Sequence, residues 1–575
     1  MRAPSTDPEH RYVAGRIRGR WWPEASGVNG PGCDDRPGSV RGVPDVASSG
    51  EERIRAAELV AALSLATDLG LGVQFEHGLH STLTAMRLCE RLGVDSEVAS
   101  QTYYACLLFH VGCTVDADIA AETFGDDAAL RTHFYPVMFG SRSEMMAGVL
   151  RALASPGSPA LLRGVQVARG LPKVVRQNER HLAALCEVAR MLAERLGQPA
   201  SVRALFSQLT ERWDGKGFPG LAKQEEIPLP LRIAHVARDA AFQRMVGGEE
   251  FAARVVRERA GAAFDSATAA LLSAEAHDIM AFDGEGSAWD DALAYEPTPR
   301  LILQGQAIDR ALEAMGSFAD LVSPYLVGHS AGVAELAGAA AQRCRFPSVD
   351  VVAVRRAALV HDVGRVAVPA RIWQKASPLT ADDWERVRLH AYHSERVLCR
   401  SPFLATLAPV ATAHHERLDG RGYHRGATAA SLPPPARLLA AADAYHAMTE
   451  PRAHRQALSP QRAAETLSDE ARSGRLDADA VSAVLEAAGH PAPRLKRPGG
   501  LTEREAEVIG LLVHGWQTKQ VARTLGISVK TADRHIQNAY AKMGVSTRAA
   551  AALFAMQHGL TTWGELPIGR TSGRS

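Results

Sequence analysis

The chain has 575 residues, 46% hydrophobic and 22% charged, with 65 Lys+Arg against 64 Asp+Glu. That length exceeds what one core can use and predicts two to four globular domains, while the balanced charge excludes a global basic field. Seven scattered cysteines (33, 89, 106, 113, 186, 344, 399) without a CxxC pair argue against a disulfide framework or zinc knuckle. No apolar run approaches the roughly 18 residues of a membrane span and no signal-peptide core opens the chain, so a cytoplasmic protein without a membrane partner is expected.

Residues 1–51 are rich in Arg, Pro, Gly and Asp, as in "GVNGPGCDDRPGSVRGVPD". Such a stretch buries too little to offset its ordering entropy and is expected to be disordered. From residue 52 the chain runs in Ala/Leu/Val/Arg segments with helical spacing, such as "RIRAAELVAALSLATDLG" and "AIDRALEAMGSFADLVSPYL". Nothing alternates with period two, so the predicted fold class is all-α. "GHPAPRLKRPGG", 489–500, reads as a linker, 501–562 as a compact module and 563–575 as a tail.

The body is an internal repeat. "TERWDGKGFPGLAKQEEIPLPLRI" (210–233) aligns with "HERLDGRGYHRGATAASLPPPARL" (415–438), and "ACLLFHVG" echoes "AALVHDVG". "GLHSTLTAMRLCERLG" is matched to "VGHSAGVAELAGAAA", which sets His80 against His329. Two copies of one helical domain follow, 52–295 and 305–488. The first carries an insertion: His110 to Asp214 spans 104 positions, against 58 from His361 to Asp419.

In the second copy His329, His361, Asp362, His390, His414, His415 and Asp443 lie along apolar helical segments. Burying so many titratable groups without partners is costly. Five imidazoles and two carboxylates converging on two divalent cations meet that cost, and the donor set suits Fe, Mn or Zn. Two ions about 4 Å apart activate water and clamp the oxygens of a phosphodiester. Any one of these histidines alone reads as a core or capping residue. The ordered set, HD, then H, then HH-E-x-x-D-G-x-G-Y, then D, does not.

With that set in place, 305–488 resembles the HD-GYP family of the HD phosphohydrolase superfamily. The resemblance implies a helical domain with a di- or trinuclear Fe/Mn centre that hydrolyses cyclic di-GMP. It makes the seven residues above metal ligands and Asp362 the bridging carboxylate. Arg365 stands where the family has a Lys beside the substrate phosphate, so Asp362 and Arg365 are the expected catalytic pair. Gly420, Gly422 and Tyr423, with Arg365, are the expected substrate-binding residues. His424 replaces the signature proline and removes its restraint on the loop. Tyr325 stands where trinuclear members place a Glu, which favours two ions.

The first copy lacks the set. Val111 replaces the bridging carboxylate, Leu209 and Thr210 replace the histidine pair, and Arg238 replaces the last Asp, with Asp239 adjacent. His80 and His181 remain, too few for two ions. This copy reads as a packing surface or as a metal-free nucleotide or partner module, although its Asp214-Gly-Lys-Gly-Phe-Pro-Gly run is closer to the signature than the second copy's.

The terminal module opens with Thr502-x-x-Glu505, a capping box. Gly515 ends one predicted helix, Gly526 a second, and Ser528 caps a third that runs to about Lys542. Short helices around a glycine turn make a helix-turn-helix. Ala532, Ile536, Ala539 and Tyr540 share the third helix's apolar face. Val529, Lys530, Thr531, Asp533, Arg534 and Gln537, with Lys519 on the helix before, are the expected DNA-binding residues. Residues 501–560 carry seven Lys/Arg against four Asp/Glu, a local excess suited to phosphates. The stretch closely resembles the LuxR-type DNA-binding domain, which implies four helices and a fourth (about 547–558) that often forms a dimer contact. Ala532-Asp533 departs from the usual Val-Lys.

Together these predict a bacterial transcriptional regulator. Its partners are DNA, a cyclic dinucleotide or other phosphodiester nucleotide, and a second copy of itself. A non-hydrolysing nucleotide sensor and a phosphohydrolase of another nucleotide remain open alternatives.

Overall fold

The computed structural model describes residues 52–114, 133–154, 160–282, 287–491 and 497–560, the side chains at 114, 160 and 175–181 excepted. The N-terminal segment and C-terminal tail expected from the sequence lie outside these residues. The architecture is helical, with one addition: Arg53–Arg55 and Ile302–Gln304 form an antiparallel pair, Ile54 opposite Leu303. Each strand has three residues, too short for a period-two signal, and each precedes the first helix of a repeat.

The helices recur in order. Ala56–Leu71, His77–Leu92 and Ser96–Leu107 have counterparts in Gln306–Asp320, His329–Arg343 and Ser348–Val360. A 3-10 turn then follows in each copy, Val111–Thr114 and Val363–Ala367, and later Leu229–Arg259 answers to Pro434–Thr449. The first of these later helices is broken by non-helical backbone at Gly247 and Gly248. Between these two elements the first copy carries the long helix Ala160–Arg195.

One hydrophobic core runs through both copies, from Ile54 to Leu485. Its central element is Ala56–Leu71, buried on nearly every face, as expected of a helix that is apolar all round. That helix packs on both 3-10 turns, its own copy's and the one following Asp362. The same contact is tied laterally where Ser401 donates to Glu58 at 2.9 Å. The turn bearing Asp362 therefore packs against a buried apolar helix of the other copy.

The terminal module has its own core of Leu501, Val508, Ile509, Leu512, Val521, Ile536, Ala539, Ala551 and neighbours. Its helices are Glu503–Val513, Thr518–Thr524, Val529–Met543 and Arg548–Gln557. Thr502 and Glu505 close the expected capping box, Ser528 caps the third helix, and Lys542 pairs with Glu505 at 2.6 Å.

Candidate metal centre and helix-turn-helix face

Each copy orients its second helix in the same way. A buried aspartate accepts from a backbone N–H ten residues on, Asp320 from Ser330 at 2.9 Å and Asp68 from Gly78 at 3.2 Å. The residue before each helix adopts a positive φ, 86° at Gly328 and 77° at Glu76. The first helical residue is thus His329 in one copy and His77 in the other. This corrects the sequence alignment, which matched His80. His80 lies one turn further along and stacks on Phe282 at 4.7 Å.

In the second copy the seven expected side chains come together. His361 and His414 each donate Nδ1–H to the carbonyl three residues back, Ala358 and Ala411, at 2.6 Å, and His390 does the same to Val387. Each Nε2 is thereby left as a lone pair pointing inward. His390 Nε2 and His414 Nε2 lie 3.1 and 3.4 Å from Asp362 Oδ1, and His361 Nε2 lies 3.0 Å from Oδ2. On the other flank His329 Nε2 is 3.1 Å from Asp443 Oδ1, and His415 Nδ1 is 3.8 Å from Oδ2. Two triads of ligand atoms result, His329–His361–Asp443 and His390–His414–His415, each with its atoms within 4.8 Å of one another. Asp362 stands between them.

The donor set fits cations. His361 Nε2 and both Asp362 oxygens are buried without a well-formed hydrogen bond, which is costly unless an ion completes them. Burial opposes charge on Asp362, but Arg365 and the imidazoles hold its carboxyl well below the ordinary range. Burial pushes His414 down to about 4, so its ring is neutral at pH 7 and ready to ligate.

Arg365 contacts Asp362 Oδ2 as an ion pair and lies 3.8 Å from Asp320, with its guanidinium 5.5 Å from the Trp373 ring centre. Its Nε and Nη1 are buried and have no hydrogen-bond partner. Tyr423 stacks on His415 at 4.2 Å, and burial pushes its phenol up to about 12. Behind it, Gly422 passes so close to Glu416 that a Cβ would lie 2.5 Å from the Glu416 Cα. Glu416 itself accepts from the N–H groups of Arg425 and Ala427 and pins the returning limb of this loop. His424, in the proline's place, lies 3.7 Å from Glu395, which also pairs with Arg425. His424 and Arg425 hold the Glu395 carboxyl down to about 2 against burial.

Two residues of this centre escaped the sequence reading. Glu450 accepts from His329 Nδ1 at 2.8 Å and pairs with Arg452 at 2.8 Å, and His446 lies 3.3 Å from its other oxygen. His329, His446 and Glu450 form a further group with ligand atoms within 4.8 Å. Tyr325, whose identity favoured two ions, is 38% exposed.

Among the described residues, every such group lies in the second copy. The first copy has a built-in cation instead. Arg238, 1% exposed, donates from Nε to His110 Nε2 at 2.6 Å and lies over the rings of Phe109 and Phe139. Burial and this guanidinium push His77 down to about 3. Asp239 is claimed by Arg259 through two contacts of 2.7 Å. His181 offers no described side chain.

On the module, Ala532, Ile536 and Ala539 are buried, whereas Lys530, Asp533, Arg534 and Gln537 are exposed, as are Val529 and Lys519. Thr531 is half-buried, and its N–H donates to the Ser528 cap at 3.0 Å.

The HD domain family matches residues 313–480, and the luxR family of bacterial regulatory proteins matches 500–555. The chain is 27% identical over 407 residues to the 3'3'-cGAMP-specific phosphodiesterase 3 of Vibrio cholerae, covering 70% of this chain and 88% of that one. It is 32% identical over 195 residues to a cyclic di-GMP phosphodiesterase of Pseudomonas aeruginosa, covering 33% and 45%. It is 35% identical over 129 residues to one from Thermotoga maritima, covering 22% and 35%. The chain thus spans less than half the length of the latter two. The crystal structure of a cyclic GMP-AMP-specific phosphodiesterase of V. cholerae superposes with a TM-score of 0.50 at 21% identity, covering 76% of this chain and 98% of that one, which establishes a shared fold. No described helix is long and apolar enough to cross a membrane. Residues 313–480 are therefore an HD domain and residues 500–555 a luxR-family domain, in a chain homologous to the HD-GYP cyclic-dinucleotide phosphodiesterases.

Proposed function

We propose that the second HD copy is a metal-dependent phosphodiesterase acting on a cyclic dinucleotide, in a cytoplasmic transcriptional regulator whose luxR-family module binds DNA. The observation that carries this reading is the pair of buried ligand triads flanking Asp362. His329, His361, Asp362 and Asp443 would hold one divalent ion, and Asp362, His390, His414 and His415 a second, with Fe or Mn best suited to the mixed imidazole–carboxylate set. Such ions supply Lewis-acid polarisation of the phosphodiester and lower the pKa of water.

The chain's own groups do the rest. Arg365, whose Nε and Nη1 make no hydrogen bond, offers a planar fork to a phosphate. Tyr423 keeps its phenolic proton at neutral pH and can donate to a substrate oxygen. Gly420 and Gly422 let the loop backbone approach the ligand closely. On the module, Lys519, Val529, Lys530, Thr531, Asp533, Arg534 and Gln537 form the side offered to the major groove.

Protein purified without oxygen, loaded with Fe or Mn and incubated separately with cyclic di-GMP and cyclic GMP-AMP tests the enzyme. Linear dinucleotide or mononucleotide product is expected from at least one of them. Loaded protein that neither binds nor cleaves either compound would refute the substrate class.

A further inference from the structure

The terminal module and the body share no apolar core. The two cores are separate clusters, and a cavity of about 900 Å³ lies between them, bordered by Asp477, Asp479, Glu503, His558 and Gly559. One buried side chain crosses the gap. Arg437, 5% exposed on the Pro434–Thr449 helix, donates from Nε to the Leu432 carbonyl at 2.7 Å and from Nη2 to that of Ala429 at 2.8 Å. Those carbonyls belong to the returning limb of the signature loop, where Ala429 N–H donates to Leu418 at 3.0 Å. From Nη1 the same guanidinium reaches Asp477 at 3.2 Å and the carbonyl of Gly559.

Gly559 ends the module's last helix with φ of 68°, and a Cβ there would lie 2.8 Å from the Arg437 guanidinium. A side chain at 559 would strain the backbone and press on the end of the Arg437 side chain. Arg497 adds an ion pair to Asp479 at 2.6 Å, but that aspartate is largely exposed and contributes little. Arg232, which aligns with Arg437 in the first copy, lies instead over Trp213 at 5.8 Å. The crossing is a property of the second copy alone.

We propose that Arg437 is a latch that seats the DNA-binding module on the body only while the signature loop holds its present arrangement. Two of its contacts are to loop carbonyls, so a loop that shifts takes away the support that aims the guanidinium at Gly559. An interface without a shared apolar core can separate as a rigid body without exposing either core. Lys530 and Arg534 are exposed while the module is seated. The latch therefore sets the module's orientation and freedom to pair, not access to its reading face. The proposal rests on the loop being the substrate limb, but its test needs no nucleotide, so failure of one is distinguishable from failure of the other.

The test is transverse relaxation of module amides, 501–557, in the full-length chain. In the wild type they relax with the body. In Gly559→Ala and Arg437→Gln they should relax several-fold more slowly, as a tethered module of about 60 residues tumbling by itself does. Gly422→Ala must displace the loop, and Glu416→Ala removes both of its pinning bonds. Both should free the module with Arg437 intact. The latch is overturned if the wild-type module already tumbles freely, or if Gly559→Ala and Arg437→Gln leave it moving with the body. Its link to the loop is overturned if the module stays seated in both loop variants.

Discussion

Removal of bound metal should turn His329 into a proton store. Burial favours its neutral ring, but hydrogen bonds to Asp443 and Glu450 outweigh that and raise its pKa from 6.5 to about 9. Both ring nitrogens of the metal-free protein therefore carry hydrogen at pH 7, and an ion can take Nε2 only after one proton leaves. Deprotonating a group of pKa about 9 at pH 7 costs roughly 2.7 kcal/mol, at about 1.36 kcal/mol per pH unit. Metal uptake at pH 7 should then release about one proton from this ring, and log affinity should rise by about one per pH unit toward pH 9. His414, held down to about 4, adds no such term. For folding of the metal-free protein, a folded pKa above the unfolded value means stability complete below pH 6.5 and lost as pH rises through 9, about 3 kcal/mol in all. Calorimetric titration of chelator-treated protein with Mn²⁺, in buffers of different ionisation enthalpy, counts the protons. Glu450→Gln removes the charge of one of the two partners and should shrink the count. No proton release at pH 7, or affinity flat between pH 7 and 9, would refute the reasoning.

Asp362→Ala should abolish phosphodiesterase activity and lower metal content, because both triads lose the carboxylate between them; full activity in this variant would sink the two-ion arrangement. Metal analysis of the wild type should find about two ions per chain. His414→Ala combined with His415→Ala should strip nearly all of that metal, while His80→Ala leaves it unchanged; a load near four, or one surviving the double substitution, would show ligands in the first copy. Arg534→Ala and Lys530→Ala should each weaken operator binding by roughly 1–3 kcal/mol where they touch base edges, with binding falling steeply in salt; salt-independent binding measured on operator fragments would remove the helix-turn-helix assignment.

The parts of the centre that were legible in the sequence are those built from scarce residues at ordered spacing. Histidine pairs and an HD step in apolar helices have few other uses, and the structure brings all seven side chains together. Glu450 was not legible, because glutamates on solvated helix ends are common and only the fold carries it to His329 Nδ1. The slip from His77 to His80 has a backbone cause. In the second copy a glycine marks the positive φ that starts the helix, whereas in the first Glu76 holds that conformation without a compositional sign. The paired aspartates, Asp68 and Asp320, each anchoring an N–H ten residues on, would have fixed the register. The helix-turn-helix was readable almost to the residue because caps and glycines punctuate it. The strand pair was not, since three residues make no period.

Arg238 gives the first copy a cation that no chelator, oxidant or shortage can remove, since it is part of the chain. The second copy depends on supply. Metal starvation therefore acts on the two halves unequally: one keeps its central charge, and the other is left with a cluster of imidazoles and carboxylates that must protonate or rearrange. Because the helix Ala56–Leu71 packs on the turns of both halves, the invariant half remains a fixed support against which any rearrangement of the other is felt.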